Sequence, residues 1–167
     1  MEIGFGTGLN AFITFLEAKK TKQQIDYTGI EAYPVSPFEL EQMNYVTELN
    51  AEKETAIFSQ MHNCPWESDN VLSQHFRLTK RKMLFSEIEY VNKFDLIYFD
   101  AFGFGLQPEL WSADIFRIMF SALKTQGMLV TYAARGVIKR NLQEAGFVVK
   151  KRGGPPGKRE MMVAFKN

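Results

Sequence analysis

Apolar and polar positions along the chain follow two periods, one typical of helices and one typical of strands. A short strand is predicted at positions 1–3 before a glycine-rich turn, and a helical pattern then runs from Phe12 to Ala18. Residues 27–31 are predicted to form a second short strand, which Pro34 closes. The chain is therefore predicted to begin with a strand, a turn, a helix and a second strand.

The same two periods continue to the end of the chain. We predict a long helix over residues 37–50, because Phe38, Leu40 and Met43 fall on one side of it. Residues 94–100 are apolar on both faces, as a central parallel strand requires. The other predicted elements are a strand at 76–79, a helix at 113–123, a strand at 128–132 after a stop at Gly127, a helix at 136–145 ended by Gly146, and strands at 147–150 and 161–165.

This order of elements predicts an α/β doubly wound sheet with helices on both faces. The sheet is expected to be mostly parallel, with the last two strands forming an antiparallel pair through a turn at residues 153–157. Neither a repeat nor a linker divides the chain, so residues 1–167 are predicted to form a single domain. The first strand is shorter than the usual length of about five to six residues, which predicts a truncated N-terminus.

Composition excludes several classes of protein. Of the 167 residues, 46% are hydrophobic and 23% are charged, which is typical of a folded globular chain rather than a disordered one. No apolar run approaches the length of about 20 residues that spans a bilayer, and the start lacks a signal peptide. We therefore expect a cytoplasmic protein without a membrane partner.

Cysteine and histidine give no sign of a metal or disulfide site. Cys64 is the single cysteine, and His62 and His75 lack the spacing of metal ligands, so neither a disulfide nor structural zinc is expected. We predict that His62, Cys64 and Trp66 lie in an ordinary loop without a chemical role.

Charge is distributed unevenly along the chain. Residues 1–60 contain four basic and nine acidic residues, whereas residues 135–167 contain nine basic and two acidic ones. The basic end could contact a polyanion such as a nucleic acid, and a solvated basic surface is the alternative at this point.

The most informative motif is Glu2-Ile3-Gly4-Phe5-Gly6-Thr7-Gly8. Alternating glycines between a strand and a helix allow a ligand to approach the backbone closely at the carboxyl edge of the sheet. The spacing differs from the dinucleotide-binding motif G-x-G-x-x-G, and the lysine of a P-loop is absent. With the preceding acid, the motif is similar to the first motif of S-adenosylmethionine-dependent methyltransferases, although a turn without a ligand remains the alternative.

Two further acids follow predicted strands. Glu31 ends the second strand, where a carboxylate can accept hydrogen bonds from the ribose hydroxyls of a nucleoside cofactor. Asp100 ends the central strand, and the crossover rules of such sheets place it beside the glycine turn. A surface glutamate and a turn or N-cap aspartate are the respective alternatives.

Five motifs in order resemble the methyltransferase family that modifies the tRNA wobble uridine. They are E-I-G-F-G-T-G-L-N at 2–10, D-A-F at 100–102, Q-P-E-L-W at 107–111, L-V-T-Y at 129–132 and G-P-P-G-K-R-E-M at 154–161. The resemblance covers nearly the whole chain. It implies a Rossmann-like class I methyltransferase sheet and N-methylation of 5-aminomethyl-(2-thio)uridine, in the stand-alone form, with a separate oxidase or other amine-forming enzyme supplying the substrate.

The resemblance also implies roles for particular residues. Asp100 is the expected catalytic carboxylate, and the residues expected to bind S-adenosylmethionine are Glu2, Gly4, Gly6, Thr7, Gly8 and Glu31. The residues expected to contact the tRNA anticodon stem-loop are Phe102, Trp111, Tyr132, Lys158 and Arg159, the aromatic ones by stacking on the uracil. Core packing is the alternative for each aromatic residue.

The sequence departs from the family pattern at two places. Family members usually carry an acid for the adenine amino group after the strand that begins near Phe76, but Lys80, Arg81 and Lys82 occupy that stretch and the nearest acid is Glu87. Family members also carry an extension before the glycine motif. A non-catalytic RNA- or protein-binding module and a small-molecule amine methyltransferase are therefore kept as alternatives.

Overall fold

The computed structural model describes residues 1–154, 157 and 160–167. The chain divides into two compact units. We call Glu2 with residues 4–83 the N-terminal unit, and Met1 and Ile3 with residues 84–167 the C-terminal unit. The predicted single domain stays a prediction.

The strands confirm the predicted fold class, a mixed α/β sheet that is mostly parallel with antiparallel C-terminal strands. Eight strands lie within the described residues: β1 Glu2–Ile3, β2 Ile25–Ile30, β3 Asp69–Ser73, β4 Phe76–Arg81, β5 Phe94–Phe99, β6 Leu123–Thr131, β7 Val148–Gly153 and β8 Glu160–Phe165. The α-helices are α1 Leu9–Thr21, α2 Pro37–Glu41, α3 Tyr45–Glu48, α4 Thr55–Asn63, α5 Ala113–Ala122 and α6 Gly136–Glu144. In the described part of the chain, no helix is long and apolar enough to cross a membrane.

The N-terminal unit packs α1 against parallel strands. β2 pairs in parallel with β4 from Ile25 opposite Phe76 to Ile30 opposite Arg81. Phe12 and Phe15 of α1 are buried at helical spacing, and the Phe15 ring meets that of Phe76 edge-on at 5.8 Å. This packing holds α1 against the amino ends of β2 and β4, and Glu31 follows the carboxyl end of β2.

The predicted helix over residues 37–50 is wrong, because two short helices replace it. Ser36 and Glu39 form a capping box that starts α2, which ends at Glu41, and α3 begins only at Tyr45. Neither helix buries a residue, and Phe38 is 73% exposed. Without a packed apolar face, a helix of this length gains too little stabilisation to continue.

The structure also differs from the sequence prediction at two strands. β3 was not predicted, and it forms an antiparallel hairpin with β4 in which Ser73 lies opposite Phe76. β6 starts directly after α5 at Leu123, so Gly127 lies inside the strand and does not separate the two elements. The ladder between β5 and β6 is irregular there, and a Cβ on Gly127 would lie 2.8 Å from the Lys124 carbonyl oxygen.

The C-terminal unit contains the predicted central strand and the predicted terminal pair. β5 pairs in parallel with β6, which pairs with β8, and β8 pairs antiparallel with β7. Ser112 caps α5 by accepting a hydrogen bond from the Ile115 backbone. Gly146 follows α6 at a φ of +106°, as the predicted helix end requires.

Candidate cofactor and catalytic residues

The glycine turn between β1 and α1 adopts backbone angles that favour glycine. Gly4, Gly6 and Gly8 have φ values of +84°, +47° and +73°, and Gly8 is the N-cap of α1. The backbone N–H groups of Gly4 and Phe5 donate to the Ile30 carbonyl, each at 3.0 Å. The turn is therefore tied to the end of β2.

Glu31 is fixed to this turn by its carboxylate. Its Oε2 accepts a hydrogen bond from the Gly6 backbone at 3.0 Å, and its Oε1 accepts one from the Tyr33 backbone at 2.9 Å. Each carboxylate oxygen has a second lone pair available to a ligand hydroxyl. A Cβ built on Gly6 would meet only the Gly4 carbonyl oxygen, at 3.9 Å, so the turn is open at this point. An open turn beside a half-buried carboxylate fits the ribose of a nucleoside cofactor.

The cofactor contact expected of Glu2 stays a prediction, and the structure places this side chain in the interior of the N-terminal unit. Glu2 is 1% exposed, and its carboxylate accepts hydrogen bonds from Asn10 at 2.9 Å and from the Tyr27 hydroxyl at 2.8 Å. A side chain with these partners joins β1 to α1 and β2. Glu2 therefore supports the turn from within the N-terminal unit.

Thr7 lies in the turn, and its side chain is engaged by another part of the N-terminal unit. Its Oγ1 and the Tyr45 hydroxyl are 2.9 Å apart and share a hydrogen bond. Tyr45 begins α3, so this bond joins the segment after β2 to the turn. The Thr7 backbone, like that of Gly6, remains the part suited to a cofactor contact.

Asp100 follows β5 in the C-terminal unit and is exposed. Its backbone N–H donates to the Ile3 carbonyl at 2.9 Å, which fixes its position at the strand end. Tyr132, which follows β6, donates from its hydroxyl to the Ala101 carbonyl at 2.8 Å. Burial raises the pKa of Tyr132, and the negative charge of Asp100 raises that pKa further. The Asp100 carboxylate therefore lies close enough to the Tyr132 hydroxyl to influence its pKa.

Of the aromatic residues expected to stack on a base, Phe102 and Trp111 are placed very differently. Phe102 is 67% exposed, whereas Trp111 has no exposed surface. The Trp111 ring packs on Phe99 and Tyr132, and its Nε1 donates to the Phe102 carbonyl at 2.8 Å. The expected base contact of Trp111 stays a prediction, and in this structure the ring fills the core and supports the loop that carries Phe102.

Lys158 and Arg159, the two basic residues expected to contact tRNA, lie outside the described residues. The basic residues of β7 are described, and Lys150, Lys151 and Arg152 are all exposed. Lys151 pairs with Glu160 at 2.6 Å, and the Lys150 ammonium lies 5.4 Å from the centre of the Phe165 ring. β7 thus presents three consecutive cations to solvent.

Two residues without a predicted role lie close to the glycine turn. His62 was expected in a loop, but it belongs to α4 and lies beside Gly8. Lys80 is 1% exposed, and its Nζ donates to the His62 carbonyl at 2.6 Å. Lys80 shares the inward face of β4 with Phe76 and Leu78, so a lysine at an inward strand position was the sequence signal for it.

Comparison with known proteins identifies the class. The model of a family described as S-adenosyl-L-methionine-dependent methyltransferase matches residues 47–167, and the chain belongs to this family. The predicted cofactor, S-adenosylmethionine, is thereby confirmed.

The resemblance seen in the sequence motifs is confirmed by two curated relatives. Both are called tRNA 5-methylaminomethyl-2-thiouridine biosynthesis bifunctional protein MnmC, and this chain is similar to their methyltransferase domain. The protein from Nitrosospira multiformis is 29% identical over 167 residues, covering 96% of this chain and 27% of its own length. The protein from Actinobacillus pleuropneumoniae is 29% identical over 183 residues, covering 96% and 26%. The chain thus spans about a quarter of the length of these relatives.

Solved structures share the fold. MNMC2 from Aquifex aeolicus superposes with a TM-score of 0.67 at 21% identity, covering 98% of this chain and 51% of its own. A methyltransferase from Pyrococcus furiosus superposes with a TM-score of 0.59 at 20% identity, covering 100% and 75%. Both support a methyltransferase fold.

Proposed function

We propose that this chain uses S-adenosylmethionine to methylate the primary amine of 5-aminomethyl-(2-thio)uridine at the wobble position of tRNA. The observation that carries the proposal is the exposed carboxylate of Asp100 at the end of β5, with the exposed Phe102 ring two residues later. The names of the curated relatives supply the substrate class. The reaction is placed in the cytoplasm, and a separate oxidase or other amine-forming enzyme would supply the amine.

The proposed cofactor site uses the backbone of Gly4, Gly6, Thr7 and Gly8 together with the Glu31 carboxylate. Glu31 is already oriented by the Gly6 and Tyr33 backbone N–H groups, so its remaining lone pairs are fixed for two ribose hydroxyls. The open side of Gly6 admits the cofactor close to the backbone. Glu2 and Tyr45 hold the turn from within the N-terminal unit.

Asp100 is the proposed proton acceptor. S-adenosylmethionine held by the glycine turn and Glu31 would supply the methyl group for the amine nitrogen, with its sulfur as the leaving group. An alkylammonium has no lone pair for this attack, so a proton must leave the nitrogen, and the Asp100 carboxylate receives it. The half-buried Tyr132 donates from its hydroxyl to the Ala101 carbonyl and stays protonated because its pKa is raised.

The proposed tRNA contacts combine one stacking residue with a basic strand. Phe102 is exposed and can stack on the uracil of the wobble nucleotide, a contact worth about 1 to 3 kcal/mol per base. Lys150, Lys151 and Arg152 can contact phosphates of the anticodon stem-loop without reading its sequence. Lys158 and Arg159 are part of this proposal on the ground of their charge.

Initial rates of methyl transfer from S-adenosylmethionine to three acceptors test the proposal. The acceptors are tRNA that carries 5-aminomethyluridine at the wobble position, the same tRNA with unmodified uridine, and a free alkylamine. We expect transfer to the first acceptor only. Equal transfer to the free amine would support a small-molecule amine methyltransferase, and tRNA binding without any transfer would support a non-catalytic module; either result contradicts the proposal.

A further inference from the structure

His62 packs directly against the glycine turn. A Cβ on Gly8 would lie 3.1 Å from His62 Cε1 and 3.2 Å from His62 Nε2, so the imidazole occupies the space that a larger residue at Gly8 would need. The ring also meets Phe5 and Phe58 edge-on, with centroids 6.1 Å and 4.9 Å apart. These contacts fix the plane of the ring within the N-terminal unit.

The hydrogen bonds of the ring define which nitrogen carries the proton. The interaction of the imidazole with the Thr7 backbone favours the protonated ring, as a ring N–H directed at the Thr7 carbonyl would. Nε2 is buried and has no hydrogen-bond partner within the described part of the chain, which assigns the donor to Nδ1. Burial and the neighbouring Lys80 charge lower the pKa of His62 to about 4, so the ring is neutral near pH 7.

Lys80 fixes the helix end from which His62 projects. Its buried Nζ donates to the His62 carbonyl at 2.6 Å and lies 4.9 Å from the centre of the Trp66 ring. That carbonyl is in the last turn of α4, where a cation interacts favourably with the unpaired carbonyl groups of a helix. Lys80 therefore holds the end of α4 in place, and His62 projects from that end onto the turn.

We infer that His62 is a positioning residue of the cofactor turn, held in place by Lys80. The ring holds the Thr7 carbonyl and fills the space beside Gly8. The backbone of Thr7 and Gly8 is therefore ordered before the cofactor binds. The inference rests on the proposed cofactor site at the glycine turn. Neither residue touches the reacting atoms, and both act through the conformation of Thr7 and Gly8.

Calorimetric titration of the full chain with S-adenosylmethionine tests the positioning role of His62. In His62→Leu the ring donor is lost, and we expect the Kd to rise about tenfold, the equivalent of one hydrogen bond. In His62→Asn a donor remains at the position of Nδ1, and we expect the Kd to stay within about threefold of wild type. Phe15→Leu, in the core of the same unit and away from the turn, is expected to lower Tm without changing the Kd.

A double mutant tests the link to Lys80. Lys80→Met keeps the length of the side chain and removes its ammonium, so we expect it alone to weaken cofactor binding. If Lys80 acts through His62, Lys80→Met in the His62→Leu background raises the Kd by less than about threefold. If the factors by which the two single substitutions raise the Kd multiply fully in the double mutant, Lys80 does not act through His62. This holds whatever the stability of each variant.

The outcomes separate this inference from the cofactor site itself. Equal losses of affinity in His62→Leu and His62→Asn, or no loss in either, would overturn the positioning role. Gly6→Val adds a side chain on the open side of the turn at a φ of +47° and is expected to abolish binding. If Gly6→Val binds the cofactor as wild type does, the proposed cofactor site is wrong, whereas failure of the His62 arm alone leaves that site intact.

Discussion

At the residue scale, the carboxylates singled out by the sequence motifs have different surroundings. Glu2 is buried with Asn10 and Tyr27, Glu31 is oriented by two backbone N–H groups, and Asp100 is exposed at the end of β5. The motifs and their strand context singled out all three acids but could not show which carboxylate the fold buries. That distinction depends on the partners Asn10 and Tyr27, which only the folded chain brings to Glu2.

Asp100→Asn tests the proposed proton acceptor. The amide keeps the size of the side chain and removes its ability to take a proton, so single-turnover methylation at saturating tRNA should fall about 10²- to 10⁴-fold. Binding of tRNA should change little. Asp95→Asn is the matched control, because Asp95 lies on β5, the strand that Asp100 follows, and forms an ion pair with the exposed Lys124. Wild-type turnover in Asp100→Asn would make the Asp100 carboxylate structural.

The pKa of His62 predicts a pH dependence of stability. In the folded chain the pKa is lowered to about 4 from the ordinary value of 6.5, so the unfolded chain binds more protons between these values. Stability contributed by the neutral ring is therefore full above pH 6.5 and is lost as the pH falls towards 4, at up to about 1.4 kcal/mol per pH unit. The free energy of unfolding, measured by urea denaturation at several pH values, should depend less steeply on pH in His62→Asn than in the wild type. The same pH dependence of the free energy of unfolding in the wild type and in His62→Asn would contradict the lowered pKa of His62.

At the element scale, burial explains only part of what the sequence predicted, since α1 and β5 were found whereas α4 was missed although it buries Phe58 and Met61. The periodicity of α1 and the apolar run of β5 gave their positions closely, because both bury the residues that define the pattern. The pattern over residues 37–50 was misleading, since α2 and α3 bury none of their apolar residues. β3 is short and mostly polar, and its pairing with β4 supplies the order that its sequence does not.

The basic strand β7 predicts a salt-dependent tRNA affinity. Replacing Lys150, Lys151 and Arg152 together by glutamine should weaken binding and reduce the slope of log affinity against log salt by about two to three, if each residue contacts one phosphate. Replacing Lys19, Lys20 and Lys22 near the end of α1 removes the same charge from the other unit as a control. Equal loss of slope in both variants would show that net charge, and not β7, governs tRNA binding.

At the scale of the whole molecule, acidic and basic residues are concentrated in different parts of the sequence. The proposed cofactor and tRNA contacts follow the same division. The acidic first third contains the glycine turn and Glu31, and the basic last fifth contains β7 and the residues proposed to contact tRNA. This division was visible in the sequence, because formal charge needs no structure. The two compact units were not, since no linker or change of composition marks their boundary near Leu84.

Cofactor binding should stabilise the folded chain. At S-adenosylmethionine concentrations about 100 times the Kd, mass action contributes about 2.7 kcal/mol. For a chain of this size that corresponds to a rise in Tm of roughly 5 to 10 °C. Differential scanning fluorimetry of the wild type and Gly6→Val measures this effect. A similar rise in Gly6→Val would place the cofactor elsewhere than at the glycine turn.

The most direct test of the proposed reaction is the position of the transferred methyl group. The chain is incubated with S-adenosylmethionine carrying a deuterated methyl group and with tRNA bearing 5-aminomethyluridine at the wobble position, and the tRNA is then digested to nucleosides for mass spectrometry. We predict that the label is found on the side-chain nitrogen of the wobble nucleoside and on no other nucleoside. Label on a different nucleoside, or none on the tRNA while the cofactor binds, would contradict wobble N-methylation by this chain.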